Sequence, residues 1–341
     1  MPAAVPAELV QFVLAGAASL AASHLLTSRI ERLGGRIALT EALLGLVTAL
    51  AADSPEITSA VSAMQSGQHT VGVGVVLGSN VFNIAALLGL GSLVAGRIHL
   101  HRDVVVLEAV VAGVVVAVTL AVTTGALPVP AGLVICLLVV LGYGLVLGLG
   151  SARLRRLPLP ERAVSLLDQA ACDECIEVGP PERSPAGTPA WQDLALGGAS
   201  LLVVVVASFF MERAGVVLGG RAHLPAAVTG GLVLAAVTSL PNAVAAVYLA
   251  RRGRGAAVLS EAMNSNALNV TVGLLVPALI VGVGASGSGG VTVAAWYGGL
   301  TLASLAIAYL FRGISRPAGA VLIGAYGLFV ALLLAQSGRV A

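Results

Sequence analysis

Ala49-Leu-Ala-Ala-Asp-Ser-Pro-Glu56 sets two carboxylates, Asp53 and Glu56, on either side of a proline, inside a run otherwise apolar enough to lie in a bilayer. An ionisable side chain at membrane depth costs about 2.5–3.5 kcal/mol on the insertion scale, so its default reading is an ion or substrate path. Polar side chains return on the next apolar run, in Gly78-Ser-Asn-Val-Phe-Asn83. The layout recurs half a chain later, where Val237-Thr-Ser-Leu-Pro-Asn242 precedes Met263-Asn-Ser-Asn-Ala-Leu-Asn269. At a fixed offset of 186 residues, Gly45 matches Gly231, Pro55 matches Pro241 and Gly67 matches Gly253. Ser79-Asn80 matches Ser265-Asn266, and Asn83 matches Asn269. Identities confined to turn-forming and polar residues at one offset are the mark of an internal repeat.

The surroundings of these stretches are membrane-like throughout. Of 341 residues 58% are hydrophobic and 10% charged, with a mean hydropathy of +1.00. Soluble chains carry about 25% charged residues, so the composition excludes a soluble enzyme or a nucleic-acid-binding protein. The apolar runs are continuous rather than alternating, which excludes a β-barrel and leaves an all-α polytopic membrane protein with the lipid bilayer as its solvent. Its 42 glycines allow helices to approach closely where the hydrophobic effect gives little drive between them. Windows of about 20 apolar residues place ten spans: 7–28, 37–64, 71–96, 104–124, 128–150, 193–213, 224–250, 255–282, 290–311 and 317–336.

Arginine placement tests that count. There is no lysine, and 15 of the 18 arginines fall in loops after odd-numbered spans; only Arg213, Arg221 and Arg339 lie on the other side. The positive-inside rule then puts the 151–192 loop in the cytoplasm and both termini outside, as expected in a bacterial inner membrane. The N-terminus lacks the basic region of a secretory signal, so 7–28 reads as a retained span. With ten spans the halves run in opposite directions: 1–150 is a first five-helix repeat, 151–192 a linker and 193–341 a second, inverted repeat. In transporters so built the substrate site lies near the midplane, between the repeats.

The chemistry these motifs permit is ion coordination. Proline removes an amide donor, freeing the carbonyl of Ala51 before Pro55 and of Val237 before Pro241. Beside them Asp53 and Glu56 are spaced i,i+3; Thr238 and Asn242, Ser79 and Asn83, and Ser265 and Asn269 are spaced i,i+4, so each pair shares a helix face. Oxygen ligands without soft donors suit a hard cation. Blander readings exist for each: Asp53 as a helix N-cap, the asparagines as interhelical glue, the serines as small residues that permit close packing.

Pro-Glu followed by Gly-Ser-Asn-Val-Phe-Asn in one half, and Thr-Ser-Leu-Pro with Asn-Ser-Asn-Ala-Leu-Asn in the other, resemble the two alpha-repeats of the sodium/calcium exchangers of the calcium:cation antiporter superfamily. The resemblance implies antiport by alternating access with no enzymatic step, no cofactor, and transported calcium, sodium or protons as the only partners. By position it implies Glu56, Ser79, Asn83, Asn242, Ser265 and Asn269 as ligands, with Thr238 and Ser239 as supporting oxygens. The departures from the family pattern are specific. Its Gly-Thr-Ser-x-Pro-Glu reads here Ala51-Ala-Asp-Ser-Pro-Glu56, the second copy ends in Asn242, and Asn269 stands where many relatives carry aspartate. Both expected carboxylates are therefore in the first repeat, and two acids facing one cavity repel, so that an empty site holds a proton. Exchange of a divalent cation is the first expectation, a monovalent cation/proton antiporter the second, and a non-transporting scaffold on a degenerate exchanger fold the third.

Remaining polar residues are assigned structural roles. Glu41, Glu108 and Glu261 lie near span ends and are expected to reach toward the interface. His99 and His101 read as a solvated rim, Trp191 and Trp296 as interfacial anchors, and Cys172-Asp-Glu-Cys175 as an inert loop pair. No obligate protein partner is expected.

Overall fold

Helices begin and end where proline and glycine dictate, and the same punctuation occurs twice. The structure, a computed structural model, describes residues 7–36, 49–154, 189–282 and 288–337. Glu41, Gly45, Cys172, Cys175 and nearly all of the expected 151–192 loop lie outside these residues. The first half contains α1 (Ala7–Arg36), α2 (Ser54–Gln65), α3 (His69–Asn83), a π-helical turn Ile84–Leu90, α4 (Gly91–Ala95), β1 (Arg97–His99), α5 (Arg102–Thr123) and α6 (Val129–Leu154). The second contains α7 (Ala190–Arg221), α8 (Ala226–Val228), a π turn Thr229–Leu234, α9 (Ala235–Thr238), α10 (Leu240–Arg251) and α11 (Gly255–Leu268). These are followed by a π turn Asn269–Leu275, α12 (Val276–Val281), α13 (Ser288–Phe311), β2 (Gly313–Ser315) and α14 (Arg316–Ser337).

Among the described residues eight helices are long and apolar enough to cross a membrane, and the pair 226–238 and 240–251, bent by 47°, makes a ninth. The tenth expected span, 37–64, is described only in its broken second part. The outermost helices exceed expectation. α1 and α7, of 30 and 32 residues, reach Arg36 and Arg221 rather than 28 and 213. At 1.5 Å per residue each spans about 45 Å, more than a hydrocarbon core of about 30 Å, so both tilt or protrude. One element departs from all-α: β1 and β2 pair antiparallel, Ile98 with Ile314, and join the two halves at the rim where exposed His99 and His101 lie.

Burial is inverted relative to a soluble protein. Asp53, Glu56, Glu108, Asp193 and Glu212 are buried, while Leu138, Leu141, Leu202 and Ile280 are exposed as lipid-facing surface. At the centre stands α3, buried on nearly every face from Val71 to Asn83. Glycine makes that position possible. A Cβ on Gly74 would come within 2.9 Å of the Gly231 backbone nitrogen, and one on Gly78 would collide with the Gly231 carbonyl oxygen.

The 186-residue repeat reappears as geometry. α2 and α10 each have twelve residues and start after a break, at Asp53 and at Ser239. Each ends in the same cap. Gly67 and Gly253 take φ of +78° and +73°, a conformation open to glycine without a Cβ penalty. Gly67 N donates to Met64 O and Gln68 N to Ala63 O; Gly253 N donates to Ala250 O and Arg254 N to Leu249 O. α3 and α11 then both pass into π turns at or just after their last asparagine, a distortion frequent at functional sites.

Candidate ion-binding site

The two helix breaks face each other. In the first repeat Pro55, in the first turn of α2, ends the preceding helix at Asp53, whose φ of −79° and ψ of −2° turn the chain without a side-chain cap bond. The Asp53 carboxylate, released from capping, takes donors from the second repeat: Asn242 Nδ2 at 2.8 Å and Ser265 Oγ at 2.7 Å, both to Oδ1. Glu56, one turn further along α2, accepts from Ser239 Oγ at 2.9 Å. Asp53 and Ser239 are repeat counterparts, as are Glu56 and Asn242. The two bonds are therefore one contact made twice, with the first repeat supplying both acids and the second both neutral donors.

A second layer crosses at α3 and α11. Asn80 Nδ2 donates to Asn266 O at 3.1 Å, and Asn266 Nδ2 returns the bond to Asn80 O at 3.2 Å. Asn83 Nδ2 donates to Asn266 Oδ1 at 3.2 Å, and its counterpart Asn269 Nδ2 donates to Asn80 Oδ1 at 3.3 Å. Asn83 on Asn266 and Asn269 on Asn80 are thus the same contact read from either half, the relation of two elements about a two-fold axis. The layers join at Ser265, whose Oγ donates to Asp53 and accepts from Asn83 at 3.0 Å and Asn242 at 3.2 Å.

Asp53, Glu56, Ser79, Asn83, Thr238, Ser239, Asn242, Ser265 and Asn269 are all buried. Five oxygens among them have no hydrogen-bond partner among the described residues: Asp53 Oδ2, Glu56 Oε2, Ser79 Oγ, Asn83 Oδ1 and Asn269 Oδ1. Orphaned acceptors at this depth are costly. A cation that drew on them would remove that cost, and the donor set, carboxylate, amide and hydroxyl oxygens, is that of hard ions. The remaining sequence candidates sit differently. Thr238 Oγ1 bonds back to Leu234 O and Ala235 O of its own turn. Ala51 O, freed by Pro55, accepts from Ser54 Oγ and Ser23 Oγ. Val237 lies half-buried in the short α9, before the bend.

Several polar residues were misread or passed over. Glu108 does not reach for the interface: it is buried on α5 and accepts from Tyr143 Oη at 2.8 Å and Ser260 Oγ at 2.6 Å. Glu261 lies in the second turn of α11, partly buried, with Oε2 enclosed. Trp296 packs on Phe329, ring centroids 5.9 Å apart, whereas Trp191 is exposed. Glu212, to which Ser62 Oγ donates at 2.9 Å, ties α7 to α2 and carried no motif. Asn80 and Asn266 were visible as repeat identities, but only geometry shows them stitching the halves.

Two antiparallel copies of a broken-helix unit, closing a lipid-excluded cluster of oxygens between them, define a polytopic membrane protein of the inverted-repeat transporter class. The model of the sodium/calcium exchanger protein family matches residues 7–149 and again 193–335, two stretches 186 residues apart, and the chain belongs to that family. Among curated proteins, the sodium/potassium/calcium exchanger Nckx30C of Drosophila melanogaster is 35% identical over 104 residues, which cover 30% of this chain and 12% of that protein. The fold is similar to that of the H+/Ca2+ exchanger CAX, with a TM-score of 0.71 and 14% identity over 98% of this chain and 88% of that one. It is also similar to YfkE, with a TM-score of 0.66 and 14% identity over 96% and 92% of the two chains. For the sodium-calcium exchanger NCX_Mj the TM-score is 0.56, with 17% identity over 96% and 98%.

Proposed function

We propose that this protein is a secondary cation antiporter that exchanges calcium, or another divalent cation, for sodium or protons by alternating access. The observation that carries the reading is the set of five buried, partnerless oxygens drawn from both repeats around two carboxylates. Two negative charges match one divalent ion, and both acids take neutral donors from the opposite repeat, Asn242 and Ser265 for Asp53 and Ser239 for Glu56, so neither is spent on a fixed cation of the protein. Membership of the exchanger family supports the same reading. Antiport follows if each ion binds both inward- and outward-open states and the empty site crosses poorly.

A monovalent cation/proton exchange is the second reading, favoured by the amides Asn242 and Asn269 at positions where the family pattern carries acids. Radiolabelled Ca2+ and Na+ flux in proteoliposomes separates the two. We expect Ca2+ uptake driven by an opposed Na+ or H+ gradient, abolished by Glu56→Gln. Uptake of Na+ with no response to Ca2+ would select the second reading, and no flux or ion-dependent thermal stabilisation in either protein would leave a scaffold. If protons share the site, Ca2+ uptake rises as the pH on the uptake side rises toward neutral. A rate indifferent to pH in both the unmodified and Asp53→Asn proteins rules proton coupling out.

A further inference from the structure

Nothing in the repeat motifs points to Glu261, yet its position on α11 ties it to the cluster. It stands four residues before Ser265, on the same helix face, and Ser265 Oγ is the donor 2.7 Å from Asp53 Oδ1. The adjacent stripe of the same helix, Ser260 and Asn264, is occupied elsewhere: Ser260 Oγ donates to Glu108 Oε1 and Asn264 Nδ2 to Tyr143 Oη at 3.5 Å. Glu261 is thus left on the stripe of α11 that carries Ser265, the donor to Asp53. Its Oε2 is buried and has no hydrogen-bond partner. The residue as a whole is only partly buried, but a carboxylate oxygen enclosed without a donor is costly unless a cation is its partner.

We infer that Glu261 is the third carboxylate of the cation site, contributed by the second repeat from outside the family motif. It rests on the antiporter reading and deepens it. Asn242 and Asn269 leave the second repeat without an acid in its motif, and Glu261 restores one a single helical turn away. The site then carries three acids rather than two, and the affinity for a divalent ion depends on all three.

The test is Ca2+ flux in proteoliposomes against Ca2+ concentration for the unmodified protein and for Glu261→Gln, Glu261→Ala, Glu56→Gln and Asn269→Asp/Glu261→Gln. Glu8→Gln, at the solvent-exposed pair with Arg221, is the control. Glu261→Gln is expected to raise the half-saturating Ca2+ concentration about tenfold, and Asn269→Asp, which returns an acid to the same cluster, to recover most of it. Glu261→Ala leaves no polar group to pair and has the best helix propensity, so it reports the same loss should the glutamine variant not fold. An unchanged half-saturating concentration in both Glu261 variants, with Glu56→Gln inactive, overturns the inference and leaves the antiporter reading standing. A loss that Asn269→Asp does not relieve assigns Glu261 a structural role and overturns it too. An unmodified protein that carries no cation removes both.

Discussion

Asp53 and Asn242 are one exchange of chemistry between two positions. In the family pattern the acid stands where Asn242 is, and a hydroxyl stands where Asp53 is. Here the amide nitrogen of Asn242 lies 2.8 Å from Asp53 Oδ1, a separation at which two carboxylates would repel strongly in a buried site. Asn242→Glu alone is therefore expected to cut Ca2+ transport by at least tenfold, and Asp53→Ser alone to remove an acid and do the same. The double variant Asp53→Ser/Asn242→Glu moves the charge to the other repeat without changing its number, and flux should return to within a few-fold of the unmodified rate. Flux measurements on the three variants check the coupling; additive losses would show that the two positions act separately. Asn242→Ala, which strips Asp53 of one of two donors, should lower ion-free stability by about 1–3 kcal/mol, read as a lower unfolding temperature in detergent. The motif residues of the cluster were legible because the repeat displays each position twice. The direction of the bonds was not, since an amide beside an acid in sequence space gives no hint of which repeat its acceptor lies on. Glu108 and Glu261 were misread for a related reason. A carboxylate one or two turns inside a helix can reach for water or turn inward, and partners on other helices decide, as Tyr143 and Ser260 do for Glu108.

The critical contact between elements is backbone on backbone, α3 against the π turn Thr229–Leu234. Gly78 packs so closely on Gly231 that an added Cβ would overlap the opposing carbonyl oxygen, and backbone cannot yield as a side-chain tip can. Gly78→Ala should destabilise by at least the 1–3 kcal/mol typical of overpacking and abolish transport, because the crossing of Asn80 on Asn266 lies within one turn. Gly113→Ala in α5 is the matched control. A Cβ there meets nothing within 4 Å, so it should be neutral or raise stability by about 0.5–1 kcal/mol through helix propensity. Unfolding temperatures of the two variants decide the matter, and equal shifts would contradict the packing argument. Helix existence was readable from continuous apolar runs, and the breaks were readable from Pro55, Pro241, Gly67 and Gly253. The π turns were not. An excursion of six or seven residues from a period of 3.6 leaves no imprint in a run that is mostly apolar, and the three-residue strands β1 and β2 are set by each other rather than by local pattern.

At the scale of the molecule α1 and α7 form an antiparallel pair fastened at three levels. Arg29 Nη1 and Arg36 Nη2 reach the buried Asp193 carboxylate at 3.1 and 2.8 Å, Ser19 and Ser208 share a hydrogen bond of 2.8 Å midway, and Arg221 pairs with Glu8 at 2.7 Å at the far end. The exposed pair contributes about 0–1 kcal/mol, whereas the Asp193 carboxylate is buried against the partly exposed Arg29 and Arg36, so removing its charge should cost more than that. The pair meets the rest of the protein less extensively than its members meet each other, through Ser23 on Ala51 O, Ser62 on Glu212 and the tight seats of Gly215 on Leu234 and Gly219 on Thr229. If the site opens alternately to the two sides, the weaker seam between this pair and the repeat cores should give before the pair itself does. Ser19→Cys/Ser208→Cys in a cysteine-free chain tests this, because hydroxyls 2.8 Å apart place the Cβ atoms within reach of a disulfide. Oxidation to the crosslinked form should leave Ca2+ flux within about twofold of the reduced protein. Asp193→Asn, by contrast, should lower stability and flux together. Flux lost on crosslinking and regained on reduction would mean that α1 and α7 slide past each other during transport, and the pair could no longer be treated as one moving body.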